Sequence, residues 1–301
     1  AYLMPAGGAA FKIDDALYFG MGMGGVSGSG VDFADTAPGA GSQAIVTTKQ
    51  FYKIAPGFAY KVGERLSLGA SLNIDFQSLA MYTPAYQFPQ NQAYGYGFSA
   101  GAIYQVNDAI QLGAVYISKQ SMGEFTWNTT SGAFSLTMDG AAQAAIGLAM
   151  RPRKGTLVEF DIRRIWFSDV LDSVAVERPT GYAGAVPASL NFGWDDQTVF
   201  ALGVQQQVGA KTALRFGVNY GESPIGPEDV ANNKGSLAIT ELHVTAGLTR
   251  QLSRKVSGPF SYAHAFNNEV TSTDGLTSIE LEQTVTSGAQ TVKASVKYSP
   301  V

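Results

Sequence analysis

The segment 65–79 constrains this chain more than any other. Leu66, Leu68, Ala70, Leu72, Ile74 and Phe76 alternate with Ser67, Gly69, Ser71, Asn73, Asp75 and Gln77, twelve residues of unbroken period two. One face is wholly apolar; the other is small or polar and carries a carboxylate. A half-buried strand of a soluble domain sustains such alternation for about 5–6 residues. A strand with lipid on one side and a wet lumen on the other must sustain it for about 10. A tight polar turn around Gly63 joins this strand to another alternating run, 45–62.

Composition agrees. Charged residues make up only 15%, aromatics 11%, and there are 35 glycines and no cysteine. Apolar residues are spread thinly, and no run of about 20 reads as a transmembrane helix. The absence of cysteine removes disulfide and thiol chemistry. A net charge of -4 with no basic stripe argues against nucleic acid as a partner.

The hairpin repeats. Short polar turns fall near Asp14, Gly63, Asn107, Lys154, Gly209 and Ser253, at spacings of 44 to 55 residues. Thirteen strands are predicted, at 1–13, 16–25, 45–62, 65–79, 94–106, 109–119, 134–150, 156–167, 197–208, 212–220, 241–252, 256–266 and 291–298. Longer, irregular connections are predicted at 26–44, 80–93, 120–133, 168–196, 221–240 and 267–290. Short turns at one end and long loops at the other are the asymmetry of an outer-membrane barrel, and Tyr52, Tyr94, Tyr104, Trp166, Trp194 and Tyr298 suit its aromatic girdles. The whole chain, 1–301, therefore reads as a single all-β domain, a transmembrane antiparallel β-barrel in contact with outer-membrane lipid. Single-chain bacterial barrels have even strand numbers. The odd count leads to the expectation that a first strand precedes residue 1.

Alternation places Asp75, Lys119, Glu159, Asp161, Arg163, Arg215, Glu241 and His243 on the inner face. Arg163 or Arg215 could meet a ligand carboxylate bidentately; alternatively these charges neutralise one another in a small lumen. Arg164 interrupts the alternation before Trp166 and suggests a bulge, as does Pro259 inside a strand. Nothing points to an enzyme. Gly20, Gly22 and Gly25 spell a nucleotide fingerprint, but no helix follows to hold a pyrophosphate, and no GxSxG, HExxH or P-loop occurs. No catalytic residue, metal ligand or cofactor is expected.

Several segments, APGFAYKVGERLSLGASLNIDF (55–76), GYGFSAGAIYQVNDAIQLGAVYISKQSMGEF (95–125), FDIRRIWFSDV (160–170), DDQTVFALGVQQQVGAKTALRFGVNYGESPIGPED (195–229) and FSYAHAF (260–266), occur in one order. In that order the sequence resembles the FadL family of outer-membrane transporters for long-chain fatty acids and aromatic hydrocarbons. The resemblance implies a 14-stranded barrel plugged by an N-terminal hatch, of which this chain would supply strands two to fourteen. It also implies passive uptake of hydrophobic small molecules, which gain roughly 25 cal/mol per Å² on leaving water.

In the family, capture begins between two extracellular loops. The corresponding residues here are Met81, Tyr82, Tyr86 and Phe88 in one loop and Met122, Phe125 and Trp127 in the other. Packing of the loops against each other would use the same side chains. A kinked strand gives the family a lateral exit through the wall, and Gly24, Gly25, Gly28 and Gly30 are the expected kink. Two other readings remain open: a diffusion porin for small polar solutes, and a structural barrel whose loops bind a protein partner.

Overall fold

The computed structural model describes residues 6–33, 45–253, 256–286 and 289–298. The start of the first predicted strand and most of 26–44 lie outside them. The strands are β1 (Gly7–Lys12), β2 (Leu17–Asp32), β3 (Val46–Val62), β4 (Leu66–Tyr82), β5 (Gln87–Asn107), β6 (Ile110–Ile117), β7 (Ser121–Met122), β8 (Phe125–Thr129), β9 (Gly132–Leu136), β10 (Gln143–Arg153), β11 (Thr156–Ile165), β12 (Ser173–Glu177), β13 (Ser189–Asn191), β14 (Gln197–Val208), β15 (Thr212–Gly221), β16 (Leu242–Gln251), β17 (Ser257–Thr271), β18 (Thr277–Thr286) and β19 (Ala289–Tyr298). One helical turn, α1 (Ser168–Leu171), precedes β12. No helix among the described residues is long and apolar enough to cross a membrane, a criterion that says nothing of strands.

Fourteen of these strands follow one another in an antiparallel path: β1 to β6, then β10, β11 and β14 to β19. The small strand β7 pairs with β5, and β8, β9, β12 and β13 form a separate four-stranded sheet. The expected count of thirteen is therefore one short. The missing strand is β18, which lies inside the predicted connection 267–290, so the odd count is no argument for a strand before residue 1. One further connection and one predicted strand are corrected. Residues 80–93 are mostly ladder, with a tight turn at 83–86 between β4 and β5. The predicted strand 134–150 divides into β9, in the loop sheet, and β10, in the main sheet.

The short turns stand where predicted because their residues close them. The Asp14 carboxylate accepts hydrogen bonds from the Ala16 and Leu17 amides at 2.8 and 2.7 Å. Asn107 Oδ1 does the same for Ala109 and Ile110, both at 2.9 Å. Such side-chain acceptors mimic a backbone turn. Gly63 and Gly155 supply the left-handed φ, 79° and 82°, that the next turns require.

The outer face of the sheet is apolar over most of its width. Phe11, Phe19 and Phe58 lie along one cross-strand row, with ring centroids 6.4 and 5.3 Å apart, the first pair stacked and the second tilted. Leu68, Leu72, Ile74, Ile146, Phe200 and Phe216 are all exposed. Nearer the loops, Tyr52, Phe76 and Tyr94 form an aromatic row, and Phe98, Tyr116 and Trp166 form another. These rows are the girdle that amphipathic rings make at a membrane interface. Trp194, expected in the girdle, packs instead against Phe167 within the loops.

The register explains the two apparent breaks in alternation. Arg164 sits in an unbroken β10–β11–β14 register and needs no bulge. It points with the outer set at the loop end, where its guanidinium pairs with Asp196 at 3.0 Å. Pro259 also sits in an unbroken register, opposite Thr249 of β16. It lies beyond Tyr262, where the described β17–β18 ladder stops, so β17 is an edge there and a missing N–H costs no ladder bond.

The bulge in β17 falls between Ala265 and Asn268, and it reverses which face each later β17 residue takes. Beyond it Ile279, Leu281 and Val296 turn inward onto Ile225, Val230, Leu237 and Ile239 of the loop before β16. Glu280, Glu282, Lys293 and Lys297 take the opposite face, joined as Lys293–Glu282 at 2.8 Å and Lys297–Glu280 at 2.9 Å.

Candidate transport path

The inner face of β4 crosses the interior from turn end to loop end in eight alternate positions. Ser67, Gly69 and Ser71 border a wide cavity of about 620 Å³. Asn73, Asp75 and Gln77 come next and are all but fully buried. Leu79 and Met81 then line a second cavity of about 370 Å³ among the loops. One strand thus samples a small-residue lumen, a polar girdle and an apolar mouth.

The girdle forms because the segment after β6 turns into the lumen. A bridge between Gln120 and Gly140 folds 118–142 against the inner face of β5. Gln77 Nε2 donates to the Met138 carbonyl at 3.1 Å, and Asn73 Nδ2 donates to Ser99 Oγ at 3.0 Å. The Gln120 amide donates to the Ser118 carbonyl. Glycines permit the close approach. A Cβ on Gly140 would stand 2.8 Å from Phe51 Cε1 and 3.1 Å from Gln120 Cβ. Both Asp75 carboxylate oxygens, Gln77 Oε1 and Gln120 Oε1 are buried without a hydrogen-bond partner among the described residues. Lys53 faces Asp75 across the β3–β4 ladder. The girdle is therefore a buried polar layer between the two cavities.

Above it, the predicted loop residues are gathered into one cluster. Met81, Phe88, Met122, Phe125 and Trp127 are buried, and Tyr86 packs against them. Phe88 stacks on Trp127 with centroids 4.4 Å apart, and the Trp127 indole N–H donates to the Pro89 carbonyl at 2.6 Å. Tyr82 stays at the hairpin tip, partly exposed and outside the cluster. Of the seven, only Met81 and Tyr86 line the 370 Å³ cavity. Burial pushes the Tyr86 phenol above its ordinary range, which keeps it neutral.

The cavity also holds a residue that the sequence reading passed over. Lys49, opposite Leu79 on the inner face of β3, lines it beside Leu79, Met81, Met138, Leu190 and Phe192. No ion pair or hydrogen bond engages the Lys49 ammonium among the described residues. Ser29, Thr47, Asn191 and Lys234 share the lining; an ammonium held there without a counter-charge is a seat for an anion. The signal was present in the alternation of 45–62, whose inner set reads Thr47, Lys49, Phe51, Lys53.

The other predicted inner charges are scattered. Glu159, Asp161 and Arg163 lie exposed along β11, and Asp161 borders the 620 Å³ cavity. Arg215 donates to Gln205 Oε1 at 2.8 Å and Thr249 Oγ1 at 2.7 Å, both uncharged. Among the described residues none of these four makes an ion pair. Lys119 lies past the end of β6 and pairs with Asp139 at 2.9 Å; that hydrogen bond and charge raise its pKa. Glu241 accepts the Ser223 amide at 3.0 Å, and His243 borders a third, smaller cavity.

Of the expected kink, Gly24 and Gly25 precede a bulge at Val26, while Gly28 and Gly30 rejoin the ladder opposite Gln50 and Thr48. The irregularity is thus one residue wide. A second one lies in β3, where the ladder to β4 lapses between Ile54 and Gly57 around Pro56, which has no N–H to give. Ala55 and Gly57, on either side of it, line the 620 Å³ cavity.

An apolar outer wall with aromatic rows, an interior cavity and loops that cap one end define a transmembrane β-barrel that passes hydrophobic molecules. The chain belongs to the family described as outer membrane protein transport protein (OMPP1/FadL/TodX), which matches residues 1–299. Members of that family are outer-membrane transport channels and not enzymes. The fold is similar to that of the Pseudomonas putida toluene transporter TodX, with a TM-score of 0.70 and 19% identity over 99% of this chain and 82% of that one. It is similar to a Pseudomonas aeruginosa FadL homologue, with a TM-score of 0.73 and 15% identity over 98% and 75%. The Ralstonia pickettii toluene transporter TbuX follows at 0.65 and 19% over 97% and 80%. No curated relative matches the chain.

Proposed function

We propose that this transporter takes up amphipathic hydrocarbon chains that end in a carboxylate, the chemistry of long-chain fatty acids. The observation that carries the reading is Lys49, unpartnered in a cavity at the mouth that sets apolar side chains such as Leu79, Met81 and Phe192 beside polar ones and a second lysine, Lys234. A hydrocarbon tail lies against Leu79, Met81, Tyr86 and Phe192 while the carboxylate meets the ammonium. Two of the solved relatives are toluene transporters, yet toluene leaves Lys49 with nothing to bind. From the mouth the molecule passes the girdle into the lumen. It leaves sideways through the sector β2–β4, where the Val26 bulge and the lapse at Pro56 weaken the wall beside the cavity.

Uptake by cells tests the first part. Lys49→Met is expected to reduce oleate uptake about tenfold, the worth of one charge-assisted contact, and to leave toluene uptake unchanged. Equal oleate uptake by the variant and the parent rejects the carboxylate reading. The exit is tested by stapling the wall beside Pro56. The chain has no cysteine, so Ile54→Cys with Ile74→Cys, a directly paired couple, introduces a single disulfide. Oxidation should slow uptake and reduction restore it; uptake indifferent to redox state removes this sector as the exit.

A further inference from the structure

We infer that the turn end of the barrel carries a binding patch for anionic phospholipid, built where the β10–β11, β14–β15 and β16–β17 turns adjoin. Arg151, Arg153, Lys154, Lys211 and Arg250 stand in or beside these turns, and all five are exposed. The stretches 151–157, 206–212 and 250–257 hold no Asp or Glu, and in sequence the last of them adds Arg254 and Lys255. No ion pair engages any of the five among the described residues. The turns are laced together. The Gln207 amide donates to the Gly155 carbonyl at 2.7 Å, and the Gln251 amide to the Lys211 carbonyl at 2.8 Å. The cations therefore share one continuous stretch of rim.

The rest of the rim is different. In the β1–β2, β3–β4 and β5–β6 turns, Lys12, Lys61 and Arg65 are accompanied by Asp14, Asp15, Glu64 and Asp108. Lys12 pairs with Asp15 at 2.5 Å, and Lys61 stands over the Tyr18 ring. One side of the rim is thus balanced and the other carries a field of a single sign, which attracts anions.

The wall beside the patch decides which anion. Arg250 takes the outer face of β16, one alternate position from Leu248, which pairs with Phe260 in an exposed apolar row. Val208, Leu252 and Val256, at the turns themselves, are 50, 65 and 55% exposed. The apolar wall therefore runs as far as the cations, and they stand where hydrocarbon gives way to headgroups. A long cation at that boundary lays its stem on apolar surface and reaches a phosphate with its head. Acyl chains lie along Leu248 and Phe260 while the phosphodiester meets Arg250 and its neighbours. A headgroup that carries its own amine brings a positive end against the same charges and gains less. A soluble acidic partner has no use for the exposed Leu252 and Val256.

Native mass spectrometry on the purified barrel in micelles tests this, with phosphatidylglycerol and phosphatidylcholine of identical chains as probes. Phosphatidylglycerol is expected to bind about tenfold more tightly, the effect of a few cations near a headgroup. Combining Arg151→Gln, Lys154→Gln, Lys211→Gln and Arg250→Gln should abolish that preference and leave phosphatidylcholine binding intact. Lys12→Gln with Lys61→Gln and Arg65→Gln, on the balanced side, should preserve it. Retention of the compact electrophoretic form by unheated samples establishes that each variant is folded. Equal binding of the two lipids to the parent overturns the proposal. So does a preference that survives the fourfold variant, or one that is lost on the balanced side instead. Glycerol 3-phosphate bound as tightly as the lipid overturns it too, since the apolar wall then contributes nothing. Hexaglutamate that displaces phosphatidylglycerol at equal concentration overturns it in favour of an acidic protein. None of the four cations lines the Lys49 cavity. Lys49→Met therefore leaves the lipid preference unchanged, and the fourfold variant leaves oleate uptake unchanged, so the two proposals fail separately.

Discussion

The two halves of the barrel interior obey different rules. Toward the turns, the inner wall is built of residues such as Gly69, Gly101, Gly113, Ala145 and Gly147, and it encloses open space. Toward the loops, the same strands carry Asn73, Asp75, Gln77, Phe51 and Leu79, all buried. The lower half is held by ladder hydrogen bonds and by the apolar outer wall, and needs nothing inside. The upper half is held by a core of its own, made from Phe88, Trp127, Phe134, Leu136 and Val176 where the loop sheet packs on the β4–β5 hairpin. A transporter with this division can rearrange its mouth without disturbing its wall. The smooth lower surface gives a hydrophobic solute no anchor, and the packed upper one gives it several.

The sharpest test of that division is Trp127→Ala. Removing a fully packed indole costs about 3–5 kcal/mol, and here it also frees the Pro89 carbonyl. The expected loss is local. Amide exchange should show lost protection over 79–93 and 120–140 with the strands of the lower barrel still protected. Uniform loss across the barrel would mean that the two halves are one cooperative unit. Next in size is a pair of glycine substitutions. Gly140→Ala forces its Cβ against the Phe51 ring and the Gln120 stem, an overpacking of about 1–3 kcal/mol. Gly113→Ala, on the lower wall, meets nothing within 4 Å and should leave unfolding by denaturant unchanged. Equal effects from the two would erase the distinction between halves.

How far each half could be read from the sequence follows from the same difference. The lower wall was legible because one physical demand, lipid outside and lumen inside, writes period two into each strand, and because Asp14, Gly63 and Asn107 close turns by local chemistry. The upper half answers to several demands at once. The end of β4 continues as ladder with both faces covered, so alternation fades just where pairing persists: Gln77 through Met81 are all buried. Residues 134–136 alternate, yet pair within the loop sheet, since period two does not name its partner. Strand β18 alternates as well, but its apolar set faces the loop core and its glutamates face out, the reverse of the pattern on the lower wall. The aromatic loop residues were found by composition; that most of them are packed against each other is a fact of tertiary contact. Lys49 was visible in the pattern, and its lack of a partner was not.

The smallest expected effect separates the loop cap from the wall by pH. Asp196, just ahead of β14, accepts hydrogen bonds from the Ser168 amide at 3.1 Å and its hydroxyl at 2.7 Å, and pairs with Arg164. Burial alone would raise the carboxyl, but these donors outweigh it and hold its pKa below the ordinary carboxylate value. A depressed folded pKa contributes stability that is fully present above the unfolded value, near 3.9, and is lost as pH falls through the folded one. The ion pair is solvent-facing and contributes at most about 1 kcal/mol. Acidification from pH 5 toward pH 2 should therefore loosen the α1 loop before any strand, seen as accelerated exchange at Ser168–Leu171. Asp196→Asn should remove that pH dependence while leaving Phe167–Trp194 packing intact. If the loop loosens identically in the variant, Asp196 is not the group that ties the cap to the wall.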